Sequence, residues 1–273
     1  MMERRQWSSL RHDTDLQLDA LHASFTTYAF ARHWHDYYVI GLVEDGAQSF
    51  WCRRATYTTP RGGLIVLNPG ESHTGQAADE RGFGYRALYP TSAHMAQVMA
   101  EFGRSEQLPQ FPAVRIDAAD LASSVRAFHA ILDSAAPTIE RQTHWLTLLT
   151  TLVLRYAADP LRLPVARSEP RAVAQIRAFL EAHYAERITL PTLAAEAGLS
   201  PFHLVRVFRR ATGVPPHAYL ESVRIKQAQQ LLMQGLAPAQ VAYDAGFSSQ
   251  SHFTSRFQRI IGITPGRYRK ARS

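Results

Sequence analysis

Leu193-Ala194-Ala195-Glu196-Ala197-Gly198-Leu199-Ser200 runs into Phe202-His203-Leu204-Val205-Arg206-Val207-Phe208 and then Gly213-Val214-Pro215-Pro216-His217-Ala218-Tyr219. The pattern returns 48 to 49 residues later as Val241-Ala242-Tyr243-Asp244-Ala245-Gly246-Phe247-Ser248, Ser251-His252-Phe253-Thr254-Ser255-Arg256-Phe257 and Gly262-Ile263-Thr264-Pro265-Gly266-Arg267-Tyr268. Each copy reads as a helix-turn-helix.

The reading is local physical chemistry. Leu193, Ala194 and Ala197 place small apolar residues on one face of a short helix, and Gly198 supplies the permissive backbone of a sharp turn. Ser200 is a good N-cap with Pro201 at the first helical position, and Leu204, Val207, Phe208 and Ala211 repeat at helical spacing as a buried face. Phe202, Val205, Arg206 and Arg209 then face outward. In the second copy Ser248 or Ser249 caps, and Phe253, Phe257 and Ile260 form the buried stripe. That leaves Gln250, Ser251, Thr254, Ser255 and Gln258 outward. A recognition helix in the DNA major groove meets base edges with such residues, Arg favouring guanine and Gln adenine. Arg206 and Gln250 stand where readout belongs, and Arg209, Arg210 and Arg259 are phosphate candidates.

A single such pair is a weak signal, because paired amphipathic helices are common. Two in tandem, each followed by Gly, Pro and Tyr at matched offsets, are strong. Over residues 171 to 270 the chain resembles the AraC-type bacterial transcription regulators, through Ile188-x4-Leu193-Ala194, Gly198-Leu199-Ser200, Phe208-Arg209-Arg210, Arg224-x3-Ala228-x2-Leu231-Leu232, Gly246-Phe247 and Gly262-Ile263-Thr264-Pro265-x2-Tyr268-Arg269. The resemblance implies one long helix over residues 215 to 234 joining the two motifs, with both recognition helices entering successive major grooves. Two departures stand out: Ser255 where many members carry Arg, and Val205 where a polar residue is frequent.

Charge agrees with this division. Residues 171 to 273 hold 14 Lys and Arg against 5 Asp and Glu, whereas residues 1 to 170 hold 16 against 18. The basic part is the part with the helix-turn-helices, which favours phosphate neutralisation over a membrane surface. Cys52 is the only cysteine, which excludes an intramolecular disulfide, a thiolate zinc cluster and a DNA-repair alkyl acceptor needing several reactive thiols. No apolar core marks a signal peptide near the N-terminus, and the best apolar stretch, residues 145 to 158, is too short to span a bilayer, so a cytoplasmic protein is expected.

Residues 1 to 24 read as a polar leader. Beyond them the period becomes that of strands: residues 37 to 43, a turn at Glu44-Asp45-Gly46, a hairpin partner over residues 47 to 52, then 56 to 59, 64 to 67 and 83 to 89. Short antiparallel strands of this kind suggest a small barrel. His33-Trp34-His35-Asp36-Tyr37, Gly41, Gly46 and Pro60-x-Gly62-Gly63-Leu64-Ile65-Val66-Leu67-Asn68-Pro69-Gly70-Glu71-x-His73 resemble the cupin-type sensor domain found ahead of such DNA-binding domains. Metal-binding cupins add a Glu after the first His-x-His; here that position is Val39 or Ile40. The resemblance therefore implies a metal-free effector pocket and no cofactor, with His33, His35, Tyr38, Trp51, Glu71, His73 and Arg86 as effector-binding candidates. Trp34 and Tyr37 read as plain core.

Helical periods resume over residues 92 to 102, 117 to 134 and from Pro137, with Leu121, Val125, Phe128 and Leu132 forming one apolar stripe. The stripes suffice to cover the barrel, and the resemblance implies that they also form a homodimer interface. Residues 161 to 170 contain three prolines if Pro160 is counted with them and read as a linker.

The expected architecture is α+β in two domains: a cupin-like β-barrel with dimerisation helices (residues 1–160), and an all-α DNA-binding domain (171–273) with tandem helix-turn-helix motifs. The expected function is an effector-controlled, sequence-specific transcription activator with double-stranded DNA, a small molecule and RNA polymerase as partners, and not an enzyme. Two other readings stay open: a metal-dependent cupin enzyme fused to a DNA-binding module, which needs a bound metal, and a ligand-free architectural DNA binder, which needs a filled barrel. Arg206→Ala is expected to relax base discrimination in the half-site at a cost of about 1–3 kcal/mol, and Arg210→Ala to weaken all sequences alike. Binding-site selection with the Arg206 variant checks this; an unchanged motif contradicts it.

Overall fold

A computed structural model describes residues 6–104, 106–161 and 169–270. The chain divides into two compact units, residues 1–132 with 145–164 and residues 133–144 with 165–273. The expected linker falls largely on residues 162–168, outside the described residues. No helix among the described residues is long and apolar enough to cross a membrane.

The first unit is built on antiparallel strands. β1 (Trp7–Asp13) and β2 (Leu18–Phe25) form a hairpin, with β2 pairing to β8 (Phe83–Tyr89) in the register Leu21↔Ala87. From Trp7 onward the expected polar leader is thus a strand hairpin. β1 escaped notice because it lies at the sheet edge with all but Asp13 exposed, so it carries no apolar alternation. Between its strands the Asp13 carboxylate accepts from the backbone N–H groups of Asp15 and Leu16.

β4 (Val39–Cys52) is one strand where a hairpin was expected. Its first half pairs with β6 (Leu64–Leu67) and β8, and its second half with β5 (Ala55–Pro60) and β7 (His73–Ala77); β3 (Phe30–His33) pairs with β7. Glu44-Asp45-Gly46 makes a bulge, since Val43 faces Tyr85 and Asp45 faces the next residue, Gly84. Gly46 sits at φ +68°, and a Cβ there would lie 2.0 Å from the Gly82 carbonyl oxygen, so glycine lets two strands touch at this bend. The chain kinks and continues; it does not reverse.

That kink folds the sheet over itself. Val39 and Val43 before the bulge and Phe50 and Cys52 after it share one apolar interior with Ile65, Leu67, Phe83 and Tyr85. The opposite face of the first half, Tyr38, Ile40 and Leu42, packs with Leu64, Val66 and Leu88 against α1 (Ser92–Ala100), α2 (Ala119–Asp133) and the residues of α3 (Thr138–Tyr156) from Trp145 onward. A short β9 (Arg115–Ile116) closes the edge beside β6.

The second unit is helical: α4 (Pro170–Ala182), α5 (Leu190–Glu196), α6 (Pro201–Thr212), α7 (Pro216–Met233), α8 (Pro238–Asp244), α9 (Gln250–Ile261) and α10 (Pro265–Lys270). Ser200 and Ser249 are the N-caps of α6 and α9, accepting from the N–H of His203 at 3.2 Å and His252 at 3.1 Å. Ile225, Ala228 and Leu232 of α7 pack with Val241, Ala242, Phe247, Phe253 and Phe257. Two stripe residues expected inside are exposed, Ala211 and Ile260, each the penultimate residue of its helix, where the stripe runs out past the packing. Arg224 is 5% exposed, its Nε and Nη2 donating to the carbonyls of Tyr184 (2.7 Å) and Glu186 (2.8 Å); burial pushes its pKa down to about 10.

Gly246 is left-handed at φ +79°, and a Cβ would lie 2.8 Å from Ala185 Cα. Gly246→Ala is therefore expected to destabilise by roughly 2–4 kcal/mol, combining backbone strain with overpacking. Gly213→Ala, also left-handed but in open space, is expected to cost only about 1–2 kcal/mol. Urea unfolding of the two variants checks the ordering, which equal losses would contradict.

Candidate functional site

Inside the folded sheet lies a cavity of about 180 Å³. Its walls are Phe30, Tyr37, Phe50, Tyr85 and Tyr89, with Val39, Ile65 and Leu67 below. Gly41 makes room for Tyr85: a Cβ would stand 2.1 Å from its hydroxyl. Burial raises the pKa of Tyr85 and of Tyr89, so both phenols stay protonated and present O–H groups. Gln48 is 6% exposed, lines the cavity, and its Oε1 has no hydrogen-bond partner.

His33, His35 and His73 gather at one side of this cavity, as expected. β3 and β7 make His33 and His73 direct cross-strand neighbours, with ring centroids 4.4 Å apart. His35 lies 4.9 Å from His73 and stacks on Tyr37 at 4.1 Å. Each ring uses Nδ1 on a backbone carbonyl: His33 on Ala31 (2.7 Å), His35 on Tyr37 (2.8 Å), His73 on Glu71 (2.8 Å). Burial lowers the pKa of His35 and of His73, against these hydrogen bonds, with repulsion from His33 adding to the effect.

The structure removes four expected pocket residues. Tyr38 is fully buried on the helix side, its hydroxyl donating to the Pro109 carbonyl at 2.9 Å, and burial pushes its pKa up to about 12. Trp51 faces away from the cavity, with the Arg32 guanidinium 3.9 Å above its ring. The Glu71 carboxylate is taken by Arg53 (2.7 Å) and by the backbone and side-chain amides of Asn68. Arg86 pairs with Glu44 at 3.0 Å. Tyr37, read as core, lines the cavity, and Trp34, also read as core, is 67% exposed. Of the missed residues, Tyr89 was legible by strand alternation, since Tyr85, Ala87 and Tyr89 of β8 face one interior; Tyr37 was not, because residues 34–38 between β3 and β4 are not strand.

On the second unit Arg209 and Arg210 of α6 are exposed, and Val205 and Arg206 half-buried, the Arg206 guanidinium 5.5 Å from the Phe202 ring centroid. Phe202 was expected outward but is 7% exposed and belongs to the buried side. From the first turn its ring serves as a platform for the Arg206 guanidinium. On α9, Gln250, Ser251, Ser255 and Arg259 are exposed and Thr254 half-buried. Arg259 pairs with Glu221 of α7 at 2.7 Å, and Arg256 reaches the same carboxylate at 3.3 Å. A second set of possible metal donors, Glu140, His144 and His217, also clusters, but both Glu140 oxygens accept from Arg256 at 3.0 Å.

A family model described as an AraC-like ligand binding domain matches residues 15–149, and a helix-turn-helix domain model matches residues 193–271. The chain is 33% identical over 244 residues to YbfI of Bacillus subtilis, an uncharacterised HTH-type transcriptional regulator, covering 89% of this chain and 88% of that one. It is 25% identical over 277 residues to the HTH-type transcriptional activator RhaS of Klebsiella pneumoniae, covering 97% and 98%. With the HTH-type transcriptional regulator ExsA of Pseudomonas aeruginosa it shares 35% over 115 residues, 41% of each chain.

The placement of Arg86 on the helix side leaves a signature in stability. His129 of α2 is 3% exposed, and burial, reinforced by the Arg86 and His22 charges, pushes its pKa down to about 3. Its folded pKa lies below the unfolded value, so the unfolded chain binds the proton first and stability falls as pH drops below about 6.5. Within that window this group contributes up to about 1.4 kcal/mol per pH unit. His129→Leu is expected to flatten the fall between pH 6.5 and 4.5 in denaturant unfolding; an unchanged slope contradicts the assignment.

Proposed function

Because the chain belongs to the AraC-type family of transcription regulators, we propose that it is an activator whose operator occupancy is set by a small molecule held in the cavity of the first unit. The observation that carries the DNA half is the pair of capped helices α6 and α9, each presenting polar and basic side chains on one face of the basic unit. Arg206 and Gln250 read bases, and Arg209, Arg210 and Arg259 hold phosphates, with Val205, Ser251, Thr254 and Ser255 completing the surfaces. Phe202 contributes by supporting Arg206 and makes no base contact.

The effector half rests on an interior that is hollow where a purely structural barrel would be packed, with an unpartnered Gln48 Oε1 at its wall. The effector acts by binding one of two states better than the other, and the shift in population changes promoter occupancy. The protein works in the cytoplasm as a homodimer, recruits RNA polymerase and catalyses no reaction. The relatives named as regulators support this over a fused enzyme.

A cavity-filling substitution tests the reading. Val39→Phe places a larger side chain inside the cavity and is expected to leave operator affinity within about 3-fold while abolishing the medium-dependent change in output of a promoter reporter. A variant that binds its operator and responds like the parent would sink the cavity as the effector site.

A further inference from the structure

The three cavity histidines share a feature that hydrogen-bonding walls do not need. In each, Nδ1 meets a backbone carbonyl, which only accepts, so Nδ1 carries the ring proton and the Nε2 lone pair is left for something else. The acceptors come from three separate places in the chain, Ala31, Tyr37 and Glu71, yet they impose the same tautomer on all three rings. One ring nitrogen from each histidine lies within 4.8 Å of the others. Fixing ring orientation and tautomer through the second nitrogen is how proteins prepare imidazole to ligate a metal.

We propose that His33, His35 and His73 form a site for a divalent transition metal, whose open position faces the cavity and takes an oxygen donor of an anionic effector. This rests on the effector-cavity reading above and gives that effector a chemical class. Imidazoles select zinc, copper, nickel or iron over magnesium and calcium. Three neutral ligands leave the ion's full double charge in place, and none of the described residues lining the cavity is Asp, Glu, Lys or Arg. An anion would meet no counter-charge there without the metal, and the metal would meet none without the anion. The Gln48 Oε1 acceptor in the same wall asks for a donor on the same molecule, so a small carboxylate carrying a hydroxyl or amine fits both.

The probes are Co²⁺ and acetate on tag-free, chelator-stripped full-length protein. Cobalt is expected to bind at one equivalent with a visible d–d band and to quench the fluorescence of Trp34, which stands exposed between two of the ligands; Trp34→Phe removes that quench. His33→Ala and His73→Ala are each expected to weaken binding by more than about 100-fold, beyond what outer-shell partners are worth. His183→Ala, in α4, leaves it within about 2-fold. His33 is exposed, so its variant keeps the fold, and circular dichroism verifies this. Acetate added to the cobalt protein is expected to shift the band. Absence of stoichiometric binding, or binding that survives both His33→Ala and His73→Ala, overturns the metal site. A band unmoved by acetate overturns the role of the open position. Either failure leaves the effector cavity standing on the Val39→Phe reporter test, whose own failure would leave cobalt binding untouched.

Discussion

The first unit depends on one strand being buried on both faces. β4 before its bulge sends Val39 and Val43 into the cavity side and Tyr38, Ile40 and Leu42 into the helix side, so two cores share a single thickness of backbone. Neither core can be repacked alone, because the backbone hydrogen bonds of β4 to β6 and β8 hold its side chains in antiphase. What fills the cavity is therefore one peptide plane away from what α1, α2 and the later part of α3 rest on. The Glu44 bulge adds the second constraint, since it lets the same strand serve both sheets and so closes a cavity between them. Glu44 itself turns back to the helix side, where Arg86 and Arg126 both reach its carboxylate and hold its pKa below the usual range despite partial burial.

The helix-turn-helix half was legible in the chain because its signals are local. Ser200, Pro201, Ser249, Gly213 and Gly262 announce helix ends through bonds that reach no more than a turn away, and the structure caps the helices at those residues. Phe202 was misplaced for the opposite reason. At the first turn of a helix the apolar stripe is not yet established, and only the neighbouring packing decides whether a ring lies under the helix or over it. Arg224 shows the same limit: nothing near it in sequence says that a guanidinium would be buried, because its partners are carbonyls about 40 residues earlier.

In the sheet half, the histidines and the cavity were legible but their companions were not. Tyr38, Trp51 and Arg86 were chosen for chemistry, when alternation along β4 would have chosen Phe50 over Trp51, and alternation along β8 would have chosen Tyr85 and Tyr89 over Arg86. Adjacent residues in a strand face opposite ways, so an error of one residue exchanges the cavity for the opposite core. The Glu-Asp-Gly run misled differently: its residues suit a tight turn and a bulge equally, and the choice falls to tertiary pairing with Gly82 and Phe83.

Arg224 and Gly246 converge on the same short loop. The guanidinium binds the carbonyls of Tyr184 and Glu186, and the turn between α8 and α9 rests its glycine on Ala185 between them. The chain ahead of the first motif is thus clasped by the helix that joins the motifs and by the elbow of the second. These contacts tie the two motifs to one loop and so favour a ruler of fixed length. A ruler is matched by phase as much as by letters: one base pair added between two half-sites rotates the second by about a tenth of a turn. On the reading proposed above, in which both motifs engage DNA, control regions answering to this protein are held to a spacing, and drift among them is confined to substitution.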